Sequence, residues 1–403
     1  MRLWAPGLLG RKGIFLSGWR RDIIVRGVGW LLFCLLGTLA LPVQAEESPE
    51  PKGDWHYGGF ADLSYAVDFN FPKNHRFRTR TTTSRVNEFE LNMVQAYVRK
   101  DISPESRLGG EFAMQAGEDS KNFAFGVDQP DLRGADTLRH FSRANLSYLA
   151  PAGKGLTVTA GLFNSLIGYE SLYARDNVNY SRSWIADNSP YMMFGVNAAY
   201  PVRNDLTVTL YVINKYWHLT NPNDQPGYGT QLAWKPTSRL KVTETIYYGP
   251  DQANTSMEFW RLFSNYIMEW KDETVTVALS YDFGTENLAG RTGSPRAFWT
   301  GGALFTRWNV TGPWAVAVRP EFYWDRNGRL TGFEQLVKAV TSTLEYKAPL
   351  GLQTALLRLE HRYDESTGAQ GGFFKNGDFA TGRPMLTPGQ HLLFLALIWS
   401  FDS

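Results

Sequence analysis

The chain predicts an all-β transmembrane fold, an antiparallel up-and-down barrel of about 16 strands (14–18) with short turns at one end and long loops at the other. Three observations predict it. Apolar and polar residues alternate with a period of two from Tyr57 to the C-terminus. Short and long connections take turns between the candidate strands. The last segment, Leu392 to Phe401, alternates large apolar residues up to the chain end.

The first 45 residues read as a cleaved secretory signal rather than as structure. Arg2, Arg11, Lys12, Arg20, Arg21 and Arg26 form a basic region ahead of the apolar run VGWLLFCLLGTLAL, which Pro42 ends. The small residue Ala45 then suits a peptidase, and the run is short beside the roughly 20 residues of a spanning helix. Residues 46–54 read as a flexible leader and 55–403 as the barrel. Cys34, the one cysteine, lies in the signal, which excludes disulfide and thiolate chemistry from the exported chain. The signal takes six basic residues and one acidic residue out of totals of 41 and 39, leaving a remainder near −3. That balance excludes an argument for nucleic-acid binding. The mean hydropathy of −0.30 and the lack of a second long apolar run exclude a helical membrane protein.

The alternation is clearest at the start. Tyr57, Ala61, Leu63, Tyr65, Val67 and Phe69 share one face, and Asp62, Ser64, Asp68 and Asn70 share the other. Later segments repeat it: Val275, Val277, Leu279 and Tyr281 oppose Ser280 and Asp282, while Leu357, Leu359 and Tyr363 oppose Arg358, Glu360 and Arg362. A soluble sandwich and a lipid-facing barrel share this pattern, so alternation does not separate them. Connections do. Short ones such as PAGKG, PVRND, NVTGP and KAPLG carry turn residues. Between them lie long polar stretches, including 70–86, 118–138, 166–190 and 365–389. Aromatics gather near strand ends (Trp217, Trp234, Tyr247, Tyr248, Trp270, Trp308, Trp314, Trp324, Trp399), where a headgroup zone favours them. Leu393, Leu395, Leu397, Trp399 and Phe401 form one face of the final strand, similar to the signal that barrel-assembly machinery recognises; Phe401 stands third from the end rather than last.

The runs NEFELNMVQAYVRKDIS (87–103), GLFNSLIGYESLYARDNVNYSRSW (161–184), RPEFYWDRNGRLTG (319–332), LLRLEHRYDES (356–366) and LALIWSFD resemble the OmpL-like β-barrel porin family of Gram-negative outer membranes. The resemblance covers nearly all of residues 55–403. It implies a porin-type barrel that passes small hydrophilic solutes, sits among outer-membrane lipid and is not an enzyme. It carries no binding residues across, and a homotrimer is an analogy from porins of this size.

Strand phase places Asp62, Asp68, Arg107, Glu111, Arg143, Arg261, Glu269, Arg319, Glu321, Arg358, Glu360 and Arg362 toward a lumen, because a charge facing lipid at mid-depth costs roughly 2–4 kcal/mol for Arg or Lys. Bracing of the barrel wall is the alternative role for these charges. The third long loop, 167–190, is the candidate constriction, with Glu170, Arg175, Asp176, Arg182 and Asp187 among Tyr169, Tyr173, Tyr180 and Trp184. Opposed charges there would set up a transverse field across the pore; a surface loop packed on its neighbours is the other reading. No metal or cofactor motif stands out, and the histidines are scattered. Two rivals remain open at this point: a barrel enzyme of lipid-hydrolase type and a secreted soluble glycan-binding β-protein.

Overall fold

The computed structural model describes residues 55–121, 139–216, 223, 225–289, 296–377 and 385–403. The signal and leader, with Trp217, lie outside the described residues.

The inner and outer faces of the wall obey opposite solvents. In β1 (Trp55–Asp68), Phe60, Asp62, Ser64, Ala66 and Asp68 are buried, while Tyr57 and Leu63 are exposed. The same inversion holds all round the wall: Val94, Phe112, Leu146, Val196, Leu210, Leu232, Leu279, Phe322, Val340 and Leu395 are exposed, and Arg261, Arg319, Glu360 and Arg362 are fully buried. An apolar belt this continuous cannot face water, and it is what a lipid-facing barrel requires.

Sixteen strands close the cylinder. After β1 come β2 (Phe89–Lys100), β3 (Leu108–Ala116), β4 (Phe141–Ala150), β5 (Leu156–Asn164), β6 (Met192–Arg203), β7 (Leu206–Ile213) and β8 (Gly227–Trp234). Then follow β9 (Leu240–Pro250), β10 (Trp260–Lys271), β11 (Val275–Glu286), β12 (Ala297–Thr311), β13 (Trp314–Asp325), β14 (Gln335–Leu350) and β15 (Gln353–Thr367). The short strands β16 (Phe373–Lys375) and β17 (Met385–Thr387) form a separate ribbon in the last long loop. The final strand β18 (Gly389–Asp402) pairs with β15 on one side and with β1 on the other, so no edge is left unpaired.

Turns at one end are tight. Gly312-Pro313 joins β12 to β13 and Gly351-Leu352 joins β14 to β15, and each glycine takes a positive φ that a side chain would resist. Aromatics ring both ends of the apolar belt: Trp234, Trp270, Trp308 and Trp399 near the short turns, and Tyr228, Tyr248 and Trp324 near the long loops. Tyr247 departs from the expected girdle. It has the inward phase of β9 and is fully buried, and its ring covers Gly227, where an added Cβ would lie 2.4 Å from Cε2. Trp299 lies over Gly284 in the same way, at 2.0 Å, so bulky rings lie flat on the wall where a neighbouring strand offers glycine.

Candidate functional site

The connection from β5 to β6 does not stay at the rim; it enters the barrel. Leu166 takes hydrogen bonds on its carbonyl from Gln231 Nε2 at 2.6 Å and Thr245 Oγ1 at 2.9 Å. Gly168 N donates to Asn265 Oδ1 at 3.1 Å, and Tyr169 Oη donates to Glu269 at 2.8 Å. The loop then crosses to the opposite wall, where Tyr173 Oη donates to Gln115 at 3.0 Å and Tyr180 Oη to Asp62 at 2.9 Å. Its aromatic residues account for the crossing: Tyr173, Tyr180 and Trp184 are all buried, and each packs against inward rings (Phe60, Phe394 and Phe373 respectively).

From Ala174 to Trp184 the loop runs along β15. The inward residues of that strand, two apart in sequence, read it rung by rung. Arg358 donates to the carbonyls of Ala174 at 2.6 Å and Asn177 at 2.8 Å. Glu360 accepts from the backbone N–H groups of Tyr180 and Ser181 at 2.6 and 2.8 Å. Arg362 donates to the Arg182 carbonyl at 2.8 Å, and Asp364 accepts from Trp184 Nε1 at 2.8 Å. A loop taken out of water must find partners for its backbone polar groups, and the alternating Arg-Glu-Arg-Asp face supplies donors and acceptors in turn. Neighbouring β13 adds Arg319, which pairs with Glu170 at 3.0 Å, and Glu321, which accepts from Trp184 N at 2.5 Å.

Two other long loops lock the top. Arg80 of the first loop donates to the Arg182 carbonyl at 2.5 Å and pairs with Asp187 at 2.8 Å. Asp119 of the second loop pairs with Arg182 at 3.0 Å and accepts from Thr83 N at 2.7 Å. Burial pushes the Asp119 carboxyl up to about 7, against the pull of the Arg182 guanidinium.

The residues anticipated from phase separate into groups. Arg319, Glu321, Arg358, Glu360 and Arg362 sit together under the loop, and Asp62 meets Tyr180. Glu111 and Arg143 pair at 2.7 Å on β3 and β4. Arg261 forms a distant cluster with Asp251 at 2.8 Å and Glu286 at 2.9 Å. Asp68 is buried near the long-loop rim and accepts from Asn70 N at 2.8 Å; Arg107 lies in the turn before β3, where it donates to the Leu149 carbonyl at 3.3 Å. Of the loop charges, Glu170, Arg182 and Asp187 are buried in these contacts. Arg175 reaches the short-turn end, 3.4 Å from Asp402, and Asp176 beside it is exposed. The loop lies directly on the charged wall, and its carbonyls take up the guanidiniums of Arg319, Arg358 and Arg362.

Asp364 and Glu345 belong to the site; strand phase puts Asp364 on the polar face of β15, though not among the pore-lining charges, and gives no sign of Glu345. Asp364 has the phase of Arg362, so it was readable; Glu345 pairs with Arg358 at 2.6 Å across β14 and β15, which needs the register. Arg80 and Asp119 come from aperiodic loops and had no signal. His361 is on the outer face, with Nε2 3.2 Å from His391 Nδ1, and Ser366 points inward onto Gln335 at 2.8 Å, so this histidine and serine lie on opposite faces of β15.

A closed sixteen-strand cylinder with an apolar exterior, a charged interior and an inward loop defines an outer-membrane porin-type channel rather than an enzyme. The model of the family described as "Putative beta-barrel porin-2, OmpL-like" matches residues 55–401, and the chain belongs to that family. Solved structures share the fold at low identity. The outer-membrane channel DcaP of Acinetobacter baumannii aligns with TM-score 0.53 and 9% identity over 89% of this chain and 100% of its own. The anion-selective porin of Comamonas acidovorans aligns with TM-score 0.52 and 11% identity over 86% and 99%. The trimer form of Vibrio cholerae OmpT aligns with TM-score 0.50 and 8% identity over 86% and 98%. No curated protein matches the chain.

Proposed function

We propose that this porin is a passive channel for small hydrophilic solutes whose narrowest point is set by loop 167–190. The observation that carries the reading is the ladder from Arg358 to Asp364, which holds the loop inside the barrel by its backbone. A loop fixed at so many points narrows the lumen without closing and opening on each passage. In this reading most of the charges anticipated as pore-lining are braces, Arg143 among them, while Glu269 and Glu111, both partly accessible, stay near the solute.

The chain would reach the outer membrane through removal of residues 1–45 and insertion by barrel-assembly machinery that reads β18. The exposed apolar belt would meet outer-membrane lipid. A homotrimer is the assembly proposed, in line with the trimer described for Vibrio cholerae OmpT. Planar-bilayer recording of the detergent-extracted protein tests the channel reading. Stepwise current openings are expected; a protein that inserts and migrates heat-modifiably yet carries no current and swells no vesicles overturns it.

A further inference from the structure

Charge is distributed very unevenly round the wall. Strands β5, β6, β7 and β8 contain no Asp, Glu, Lys or Arg until Arg203 at the short-turn end. The opposite arc, β10 to β15, turns Arg261, Asp282, Arg319, Glu321, Glu345 and Arg362 inward, and every one of these is buried. The loop covers the inward charges of β13 and β15. On the inner face it leaves partly accessible Asn145 and Ser147 of β4, Thr159 of β5, Asn197 of β6 and Gln231 of β8, with the charges Glu111, Glu269 and Arg307 outside the β5–β8 arc. Their neighbours Leu146, Val196 and Leu232 are exposed on the outer face, which fixes the inward phase of the polar set.

These residues lie side by side. Ser147 pairs with Thr159 in the ladder, with hydroxyls 2.8 Å apart, and Thr159 pairs with Asn197. They form a strip of hydroxyls and amides, each able both to donate and to accept a hydrogen bond.

We infer that this charge-free arc is the translocation path, and that the channel favours uncharged polyhydroxylated solutes with little preference between cations and anions. The inference rests on the channel reading above and deepens it. An ion entering a narrow passage loses hydration, and selectivity for one sign needs fixed charge or a ring of aligned dipoles to replace it. The arc offers neither sign an advantage. A polyol exchanges its bonds to water for bonds to Ser, Thr and Asn with no charge to compensate. The nearest fixed charges, Glu111 and Arg143, neutralise one another at 2.7 Å.

The test combines two measurements on the full exported chain. Vesicle swelling is followed in mannitol, and the zero-current potential is read across a potassium chloride gradient in planar bilayers. The expected result is swelling in mannitol with a zero-current potential near zero. Asn197→Asp should then drive that potential several-fold closer to the potassium limit, while Asn197→Gln leaves it in place. Ser147→Asp provides the same reading should Asn197→Asp fail to insert. Strong selectivity for either ion in the unmodified protein overturns the inference while leaving a channel in place. So does a potential that neither added carboxylate moves. Absence of both current and swelling instead removes the channel reading, and this inference falls with it.

Discussion

Arg319 on β13 and Glu170 in the inward loop meet at 3.0 Å with both side chains buried, a wall-to-loop contact between full charges. Arg319 also donates to the Ser181 carbonyl at 2.7 Å. Taking two ions out of water is costly, so the pair by itself is weak support for the fold. Removing one member is another matter. Arg319→Ala should cost about 3–5 kcal/mol, because Glu170 is left buried without its cation, whereas Glu321 keeps Arg362 at 3.1 Å. The temperature at which the heat-modifiable gel shift occurs should fall, and the double variant Arg319→Met with Glu170→Met should recover part of the loss.

Glu360 holds the loop through two backbone N–H groups and the Ser181 hydroxyl at 2.5 Å. Glu360 also accepts from Thr343 Oγ1 at 2.7 Å, so Glu360→Ala strands four buried donors, at about 1–3 kcal/mol for each group left unsatisfied. The barrel should still fold, since its strands pair without this side chain. Single-channel traces should become noisier, with more sublevels than in the unmodified protein. An unchanged trace would mean that the loop does not move when this rung is lost.

Asp119 gives the loop junction a pH dependence. Its carboxyl is pushed up to about 7 by burial, from an ordinary value of 3.8. Between those values the folded state holds a proton that the unfolded chain has released. Stability therefore falls as pH rises through this window and is greater near the acid end. Thermal transitions followed from pH 5 to pH 8 should decline with pH in the unmodified protein and decline less steeply in Asp119→Asn.

Gly284 lies so close to Trp299 that a Cβ would stand 2.0 Å from Cε2 of the indole. Gly284→Ala should cost about 1–3 kcal/mol through overpacking. The same substitution in a Trp299→Ala background should cost much less, because the two residues share one space. Additive effects on the thermal transition would mean that the ring does not lie over the glycine.

The wall was legible in the sequence to a degree the interior was not. Strand phase set which side chains of β1, β13 and β15 point inward, because a period of two and two different solvents leave little freedom. Connection length gave the strand number for the same reason: each hairpin must turn at alternating ends. The ladder on β15 was half visible, as Arg358, Glu360 and Arg362 stand two apart, but their partners are backbone groups of the loop, which sequence does not mark. Arg80 and Asp119 reach Arg182 from aperiodic loops, and only the folded arrangement brings them together. The charge-free stretch from β5 to β8 was in plain view. An absence of charge becomes informative only once the loop is known to cover the other side.

The central claim is that loop 167–190, seated on the β15 ladder, sets the width of this channel. Single-channel conductance of the triple variant Arg358→Gln, Glu360→Gln and Arg362→Gln tests it most directly. The unmodified protein should show small, steady openings, and the triple variant should conduct more current per opening with larger fluctuations. A triple variant that folds, inserts and conducts the same steady current as the unmodified protein would contradict the claim.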